Sequence, residues 1–429
     1  MPEKLAGDIA VVGAGPAGMA AAVRAAEAGA RVILLDEGPR AGGQIWKHAA
    51  SPPRGARPWI ERLKRSPAVL RSGWQVVFAE PGRLFAEPAS GAAEEGLEVQ
   101  CRALVLATGA RELFLPFPGW TLPGVVGAGA AQALVKSGLD VRGRRAVVAG
   151  SGPLLLAAAG ALSSAGARVQ LVAEQASRSS VLAFALGLTR QPGKLAAAAA
   201  LRLKFPPGRY RPGTWIASAE GKDSVERVLA TDGRRSREIA CDLLCCGYGL
   251  VPNLELPELL GCQVAHGRVV VDDFQRTSIS SIFCAGEATG VGGVELALAE
   301  GEIAGLAAAG KAGEARSLFR RRTALTALAA SLDRTFALRE ELKAAARGDT
   351  IVCRCEDVTL SRFAPSWSRR QAKLYTRAGM GPCQGRVCGP ALEFLFGWSA
   401  DSVRIPARPA SLASFLEVSH SEKEGAANP

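Results

Sequence analysis

The feature that most constrains the fold is a glycine-rich turn that occurs twice in the chain. The first turn, residues 13–18, reads GAGPAG and follows the short apolar run 9–12. The second turn, residues 150–155, reads GSGPLL and follows the apolar run 145–149. Each turn leads into an alanine-rich run with helical character and then into another apolar run. This order predicts two βαβ units, each with parallel strands.

The first turn has the residue types that a dinucleotide requires. Gly13 permits the tight turn from strand to helix, Gly15 lets the backbone approach a pyrophosphate, and Gly18 lets helix and strand pack closely. Asp36 lies at the end of the second strand, where an acid accepts hydrogen bonds from ribose hydroxyls. The free N–H groups at the start of the helix attract phosphate. The first unit is therefore predicted to bind a nucleotide.

The second turn departs from this pattern at one position. Gly150, Gly152 and Glu174 are present, but Leu155 replaces the third glycine. One interpretation is an NAD(P)H site, and the other is a retained fold that no longer binds a nicotinamide. Because a branched side chain stands where helix and strand should come closest, the pattern favours the second interpretation.

Length and pattern together predict an α/β fold. The chain has 429 residues, 48% of them hydrophobic, and 49 glycines. We expect two Rossmann-like dinucleotide-binding domains and a small C-terminal α-rich domain that holds four cysteines. The predicted boundaries are 8–117 with 264–312 for the first domain, 118–263 for the second, 313–348 for a helical linker, 349–405 for the cysteine domain and 406–429 for the tail.

Composition excludes some functions. The net charge is +12, but the basic residues are scattered, so no nucleic-acid-binding surface is expected. The densest basic cluster, residues 320–322, is interpreted as a solvated helix face. No run of eighteen apolar residues lacks a charge or a polar break, so no integral membrane segment is predicted. Ten cysteines without a secretion signal indicate a reducing, cytoplasmic location.

Four of the ten cysteines form a distinct pattern. The other six lie in apolar segments and are expected to be core residues: Cys101, Cys241, Cys245, Cys246, Cys262 and Cys284. The four are two close pairs, Cys353 with Cys355 and Cys383 with Cys388. Two pairs can supply four thiolates, and neighbouring glycines permit the tight backbone around them. Both zinc and an iron–sulfur centre fit, and these CxC and CxxxxC spacings favour redox use.

The segments around the first turn resemble those that build the FAD site in flavoproteins with two dinucleotide-binding domains. The resemblance rests on residues 13–18, 42–44, 107–109 and 283–287. That family normally ends the last motif with Gly-Asp, whereas this chain has Gly286-Glu287. The resemblance implies FAD contacts from Gly13, Gly15, Pro16, Ala17, Gly18, Asp36, Glu37, Gly43, Gln44, Val77, Ala107, Thr108, Gly109, Gly286 and Glu287.

The cysteine segment resembles the [2Fe-2S]-binding domain of bacterioferritin-associated ferredoxins, which also occurs fused to flavoprotein subunits. Residues 376–386, TRAGMGPCQGR, are especially similar to the fused form. The resemblance implies that one [2Fe-2S] cluster is ligated by Cys353, Cys355, Cys383 and Cys388.

The order of these parts resembles the α subunits of heteromeric amino-acid dehydrogenases, a group that includes opine oxidases, D-hydroxyproline dehydrogenase and hydrogen cyanide synthase. The resemblance implies a partner β subunit of the D-amino-acid-oxidase-like class, which contains FAD and oxidises the C–N bond. Electrons then pass through the α subunit toward a respiratory acceptor. The resemblance is also compatible with three further features: an FMN at the interface with the partner, a small γ subunit, and peripheral attachment to a membrane.

Two other functions remain open from the sequence. One is a self-sufficient NAD(P)H-dependent flavoprotein reductase, and the other is a non-catalytic scaffold that binds an adenine nucleotide and zinc. No catalytic residue is predicted in this chain. Its histidines are His48, His266 and His420, each interpreted as a surface or core residue.

Overall fold

The computed structural model describes residues 2–46, 55–91, 96–399 and 403–414. The chain forms two compact units. The first unit comprises residues 1–111, 252–329 and 402–429, and the second comprises residues 112–251 and 330–401. The four clustered cysteines therefore lie in the second unit, and the C-terminal residues belong to the first.

The strands are short, as the apolar runs in the sequence predict. In chain order they are β1 Glu3–Ala6, β2 Ile9–Val12, β3 Val32–Asp36, β4 Val69–Ser72, β5 Trp74–Glu80, β6 Arg83–Pro88, β7 Leu97–Gln100, β8 Ala103–Leu106, β9 Ala110–Glu112, β10 Val125–Gly127, β11 Arg145–Gly150, β12 Arg168–Glu174, β13 Tyr210–Pro212, β14 Trp215–Glu220, β15 Arg227–Thr231, β16 Ser236–Ala240, β17 Leu243–Gly247, β18 Leu250–Pro252, β19 Val264–Ala265, β20 Arg268–Val269, β21 Ile282–Cys284, β22 Ile351–Cys353 and β23 Val358–Thr359.

Helices alternate with these strands. In chain order they are α1 Pro16–Glu27, α2 Gly43–Trp46, α3 Arg57–Arg65, α4 Ala128–Lys136, α5 Leu154–Ser164, α6 Arg178–Gly187, α7 Pro192–Leu203, α8 Glu255–Leu259, α9 Val294–Ala308, α10 Ala312–Arg316, α11 Phe319–Thr335, α12 Arg369–Thr376 and α13 Cys388–Phe396. Within the described ranges, none of the helices is both long and apolar enough to cross a membrane.

The first unit is built on a five-stranded parallel sheet with the strand order β21-β8-β2-β3-β4. Helix α9 packs backbone to backbone on α1. A Cβ atom on Gly301 would lie 2.1 Å from the Ala17 carbonyl oxygen, and one on Gly305 would lie 2.2 Å from that of Ala21. This close approach brings α9 and the start of α1 together beside the first glycine turn.

The second unit repeats the arrangement. Its five-stranded parallel sheet has the order β10-β17-β11-β12-β13, and a three-stranded antiparallel sheet, β14-β15-β16, belongs to the same unit. Helices α4 and α5 contribute Ala131 and Leu155 to the buried core around this sheet. The predicted α/β fold with two Rossmann-like sheets is confirmed.

The predicted helical linker is interrupted. Helix α11 ends at Thr335, residues 336–339 are not helical, and a short 3-10 helix follows at Glu340–Ala345. The interruption has a structural reason, since the main chain of residues 336–339 forms hydrogen bonds with the second glycine turn, as detailed below. A continuous helix would consume the same carbonyl and N–H groups internally.

The cysteine segment has a small core of its own. Val352, Phe363, Leu392 and Trp398 are buried in one cluster, and the Phe396 and Trp398 rings stack with centroids 4.4 Å apart. The segment also joins the core of the second unit. Trp120 Nε1 donates to the Ile351 carbonyl at 2.6 Å, and Leu342, Val387 and Phe394 pack against the cluster that contains Trp120 and Trp215.

Candidate functional site

The glycines of the first turn are required by contacts that the structure shows directly. Gly13 has φ +101°, and a Cβ atom there would lie 2.2 Å from the Ala107 carbonyl oxygen. A Cβ on Gly18 would lie 1.7 Å from the Gly13 carbonyl oxygen. Gly43 is equally constrained, because its Cβ would lie 2.8 Å from Gly15 Cα. Each of these positions excludes every residue except glycine.

Gly15 is constrained in a different way. It is the N-cap of α1, and the nearest atom that a Cβ there would meet is Gly43 Cα at 3.8 Å. The first turn of α1 carries no acidic residue, and no side chain caps it. A Cβ on Gly15 would thus make only an ordinary van der Waals contact, and the residue stands at a helix N-terminus, which is where the backbone approaches a pyrophosphate in this type of unit.

Asp36 fixes the turn to the end of β3. Its Oδ2 accepts a hydrogen bond from the Ala14 N–H at 2.5 Å, and its Oδ1 accepts one from the Gly38 N–H at 2.8 Å. The carboxylate stays half-buried beside the turn. The neighbouring Glu37 is exposed and forms an ion pair with Arg408.

The segment 107–109 is held by a residue that the sequence did not single out. Thr108 Oγ1 donates to the Asn253 carbonyl at 2.8 Å, and Asn253 Nδ2 donates to the Thr108 carbonyl at 2.8 Å. The Asn253 N–H also donates to the Gly109 carbonyl at 2.9 Å. The Thr108 hydroxyl is thus used inside the protein. The only local signal for Asn253 is its position after Pro252 in a break between apolar runs.

The segment 286–287 is held by a buried carboxyl group that was also missed. Glu300 Oε2 accepts hydrogen bonds from the Gly286 N–H and from Thr289 Oγ1, both at 2.8 Å. Burial raises the pKa of Glu300 to about 7, although these hydrogen bonds and the charge of Arg322 oppose the shift. Glu287, which stands where the family has aspartate, accepts from the Gly293 N–H through Oε1 at 3.1 Å.

Most of the residues predicted to contact the cofactor converge on the first turn. A Cβ on Gly286 would lie 2.8 Å from Ala17 Cβ, and the Ala107 and Gly43 contacts complete the enclosure. Pro16 begins α1, and Gln44 is exposed on α2. Val77 is buried on β5, and its carbonyl accepts from the Ala407 N–H at 2.8 Å. The assignment of these residues to a cofactor remains a prediction.

The second turn also follows a parallel strand and leads into a helix, but its acid is buried and Gly152 has φ +92°, where Gly15 has φ −71°. Gly150 has φ +144°, and its Cβ would lie 2.1 Å from the Gly247 carbonyl oxygen. Glu174 is fully buried; its Oε2 accepts from the Gly152 N–H at 2.7 Å and its Oε1 from the Ala176 N–H at 2.8 Å. Burial raises the pKa of Glu174 to about 7, against these hydrogen bonds. A carboxylate so enclosed is not exposed to a ribose.

Residues 336–339 cover the second turn. Ser151 Oγ donates to the Phe336 carbonyl at 2.7 Å, and Gln175 Nε2 donates to Ser151 Oγ at 2.8 Å and to the Ala337 carbonyl at 3.0 Å. The Arg339 N–H donates to Gln175 Oε1 at 3.2 Å. The side chain of Phe336 lies 3.8 Å from the position of a Cβ on Gly152. The chain's own backbone thus fills the space over the turn.

The four clustered cysteines come together as two contacting pairs that differ from the sequence pairs. The Cys353 thiol contacts Cys388, and the Cys355 thiol contacts Cys383. The hydrogen bond from Cys388, helped by the N–H groups of Gly379, Glu356 and Cys355, lowers the pKa of Cys353 to about 6. A Cβ on Gly381 would lie 2.4 Å from Cys355 Cβ, so glycine is required there.

The two pairs do not form a site for one metal ion. Among the residues that the structure describes, no three side chains of Cys, His, Asp or Glu are grouped closely enough to hold a single ion. The remaining cysteines behave as core residues, since burial raises the pKa of Cys101 to about 11 and that of Cys241 to about 12. Of the histidines, His266 is exposed, and His48 and His420 lie outside the described residues.

The chain is similar to several known proteins over most of its length. Residues 7–313 match the family described as pyridine nucleotide-disulphide oxidoreductase. The opine oxidase A subunit of Agrobacterium tumefaciens (strain Ach5) is 30% identical over 97% of this chain and 92% of that protein. The hydrogen cyanide synthase HcnB subunit of Pseudomonas aeruginosa is 33% identical over 92% of each protein.

A solved structure shows the same fold. The L-proline dehydrogenase from P. horikoshii superimposes with a TM-score of 0.67, covering 96% of this chain and 80% of that chain at 19% sequence identity. At this identity the likeness concerns the fold. The sequence relatives confirm the predicted resemblance to the A subunits of opine oxidases and to a hydrogen cyanide synthase subunit.

Proposed function

We propose that the chain is an electron-transferring subunit of a multi-subunit dehydrogenase. The premise is its family: the chain belongs to the pyridine nucleotide-disulphide oxidoreductase family and to the same family as the opine oxidase A subunits. The chain is an oxidoreductase subunit of flavoprotein fold. Its proposed task is to accept electrons from a partner FAD-containing subunit that oxidises the C–N bond of an opine or amino acid. A respiratory acceptor then receives them.

The contrast between the two glycine turns carries this proposal. The second turn is covered by residues 336–339, whose main chain is hydrogen-bonded to Ser151 and Gln175, whereas the atom nearest to a Cβ on Gly15 belongs to Gly43, a glycine of the same predicted site. One turn is thus available for a nucleotide, and the turn that would bind NAD(P)H is not. Electrons must then enter from a source other than a nicotinamide bound at the second turn.

FAD is the proposed ligand of the first turn. The N–H groups at the start of α1 and the space beside Gly15 would receive its pyrophosphate, and Asp36 would receive its ribose. Gly43, Ala107 and Gly286 close the site around that turn. When bound, the flavin supplies one-electron and two-electron carrier chemistry that no side chain of the protein offers.

A [2Fe-2S] cluster is the proposed occupant of the cysteine segment, and the donor set fits it. The four thiols form two pairs, as two irons with two thiolates each require, and N–H groups already point at the Cys353 sulfur. Such a cluster supplies a one-electron relay.

The partner is proposed to dock beside the cysteine segment. Cys355 is exposed, while Cys353 and Cys388 are buried, so one side of the thiol group reaches the surface. Leu374 and Tyr375 are adjacent on α12 and each 62% exposed, and such a pair near the thiols fits a surface that a partner protein covers. FMN at that interface and a small γ subunit belong to the same proposal.

Two further points concern location. All ten cysteines are free thiols, which fits the reducing cytoplasm. Peripheral association with a membrane through the electron acceptor is part of the proposed role.

The deciding experiment compares the purified chain with the co-expressed complex. We expect a flavin and iron–sulfur absorption spectrum, no anaerobic bleaching on addition of NADH, and no turnover of D-hydroxyproline, opines or glycine with an artificial electron acceptor. Co-expression with the partner flavoprotein should restore turnover. Robust turnover by the isolated chain, or bleaching by NADH, would contradict the proposal and favour a stand-alone enzyme or an NAD(P)H-dependent reductase.

A further inference from the structure

The C-terminal residues 407–414, here named the C-terminal strap, lie along strands β5 and β6 of the first unit. The Ala407 N–H donates to the Val77 carbonyl at 2.8 Å, and Gln75 Nε2 donates to the Pro409 carbonyl at 3.1 Å. Further along, Glu87 Oε2 accepts from the Ser411 N–H at 3.0 Å and from Ser414 Oγ at 2.6 Å. Ala407 and Ser414 are buried by these contacts. The strap is thus an integral part of the first unit.

The strap brings a cation to the end of β3. Arg408 pairs with Glu37, which directly follows Asp36. Because both oxygens of Asp36 are hydrogen-bonded to backbone N–H groups at the first turn, the position of this carboxylate is fixed. Without Arg408, two neighbouring carboxylates would stand beside the place where a negatively charged ligand approaches. Like charges at such a distance oppose binding.

We propose that Arg408 is a nucleotide-positioning residue of the first site, supplied by the C-terminal strap, which offsets the charge of Glu37 so that the adenosine diphosphate part of a dinucleotide can bind beside Asp36. This inference rests on the proposed function, in which the first turn binds an adenine nucleotide. It adds a residue far away in sequence to the binding unit. The βαβ unit contains both Asp36 and Glu37, and Arg408 of the strap offsets the negative charge of Glu37.

The chemistry predicts which ligands respond. FAD, ATP and NAD share the adenosine diphosphate part, so the effect of Arg408 must not depend on the group attached beyond it. Arg408 and Glu37 retain 31% and 44% side-chain exposure, and solvent weakens the interaction between such charges. We therefore expect a moderate effect on affinity and none on the fold of the second unit.

The test uses the full chain, freed of bound nucleotide and titrated separately with FAD and with ADP. Arg408→Ala should weaken both ligands about threefold to tenfold. Arg408→Ala combined with Glu37→Gln should bind both ligands more tightly than Arg408→Ala alone, because the uncompensated charge is gone. If the strap had only a structural role, Glu37→Gln would not restore affinity in the Arg408→Ala variant. Arg40→Ala removes a positive charge four residues after Asp36 and serves as the matched control, with little change expected.

The outcomes separate the two proposals. If the wild type binds neither FAD nor ADP, both the proposed function and the role of Arg408 are overturned. If the wild type binds them and Arg408→Ala binds equally well, or if Glu37→Gln gives no rescue, only the role of Arg408 is overturned. A loss confined to FAD would also overturn it, since ADP carries the shared part. Should Arg408→Ala not fold, Arg408→Gln with the same rescue replaces it.

Discussion

The two glycine turns share a sequence pattern but differ in backbone at the second glycine, where Gly15 has φ −71° and Gly152 has φ +92°, and in what lies over them. At the first turn, Asp36 is half-buried and the atom nearest to a Cβ on Gly15 is Gly43 Cα. At the second, Glu174 is fully buried, and Ser151 and Gln175 bind the main chain of residues 336–339. The same local sequence pattern thus leads to a proposed ligand site in one unit and to an internal contact in the other.

The difference shows that the N–H groups of a dinucleotide turn can bind partners other than a nucleotide. N–H groups and small residues at the end of a parallel sheet can receive a pyrophosphate, or they can receive carbonyl groups from the same chain. In the second unit of this protein, hydrogen bonds to the main chain of residues 336–339 connect the sheet to the segment that leads into the four cysteines. The turn that lost its third glycine therefore has a structural role.

The largest expected effect comes from placing a side chain at Gly15. Gly15→Val should abolish nucleotide binding, because its side chain would occupy the path of the pyrophosphate. The fold should survive, since the nearest non-neighbouring atom to the new Cβ is Gly43 Cα at 3.8 Å. The measurement is the amount and identity of nucleotide released from the purified protein, determined by mass spectrometry.

The matching change in the second turn provides the contrast. Because Gly152 has φ +92°, Gly152→Val should lower the stability of the second unit, but it should leave the nucleotide content of the folded protein unchanged, since residues 336–339 already cover that turn. Equal loss of nucleotide from both variants would show that the two turns are not different in function.

The next largest effect concerns the cysteines. Changing Cys353, Cys355, Cys383 or Cys388 to serine should remove the visible absorption of the cluster, because one iron then lacks a thiolate. The nucleotide of the first unit should be retained. Cys101→Ser is a suitable control, as Cys101 lies in the first unit, away from the cluster in sequence, and is partly buried.

Hydrogen exchange should locate the damage within residues 350–400. The cysteine segment has only a small core, so cluster binding contributes part of its folding free energy. One zinc ion per chain and no acid-labile sulfide would contradict the cluster assignment and favour the scaffold interpretation.

A smaller effect tests the cover over the second turn. Gln175 is fully buried and its amide connects Ser151, Ala337 and Arg339. Gln175→Ala removes one buried and two part-buried hydrogen bonds, so we expect the second unit to lose about 1 to 3 kcal/mol of stability. The measurement is the free energy of opening at residues 336–339 from hydrogen exchange. Gln170→Ala, at a half-buried glutamine on the neighbouring strand β12, is the control.

The sequence alone was sufficient to predict those parts of the two turns that lie close together in the chain. Turn glycines, flanking strands and the acid at the end of β3 follow each other closely in the chain, so pattern and spacing identify them. Gly301 and Gly305, whose spacing of four places them on one face of α9, carry a further local signal. Two small residues at this spacing indicate that another helix can pack closely against that face.

The sequence was not sufficient for contacts between distant segments. Gln175 binds the carbonyl of Ala337, 162 residues later, and Thr108 binds Asn253, 145 residues later. Arg408 meets Glu37 across an even longer separation. None of these partners stands in a periodic pattern, because a polar residue that serves one tertiary contact leaves no local trace. The same holds for the end of α11 at Thr335, which depends on the contacts of residues 336–339.

The smallest expected effect separates the two buried carboxyl groups by pH. Burial raises the pKa of both Glu300 and Glu174 from 4.5 to about 7. Between these values the folded protein holds a proton that the unfolded chain has lost, so stability falls as pH rises from about 4.5 to about 7. Each group can cost up to about 3 kcal/mol above that range. Glu300→Gln should remove its share of this dependence.

The two glutamine variants should nevertheless differ in stability above pH 7. Glu300 uses one oxygen for both of its hydrogen bonds, so a carboxamide oxygen can replace it and Glu300→Gln should be neutral or stabilising. Glu174 uses both oxygens to accept from N–H groups, so the NH₂ of Glu174→Gln would face the N–H of Gly152 or Ala176 and lose one bond. That loss costs about 1 to 3 kcal/mol and offsets the gain from removing a buried charge. Hydrogen exchange at pH 5 and pH 8, read separately for the two units, measures both effects; an unchanged pH dependence in Glu300→Gln would show that this carboxyl group is already ionised in the folded protein.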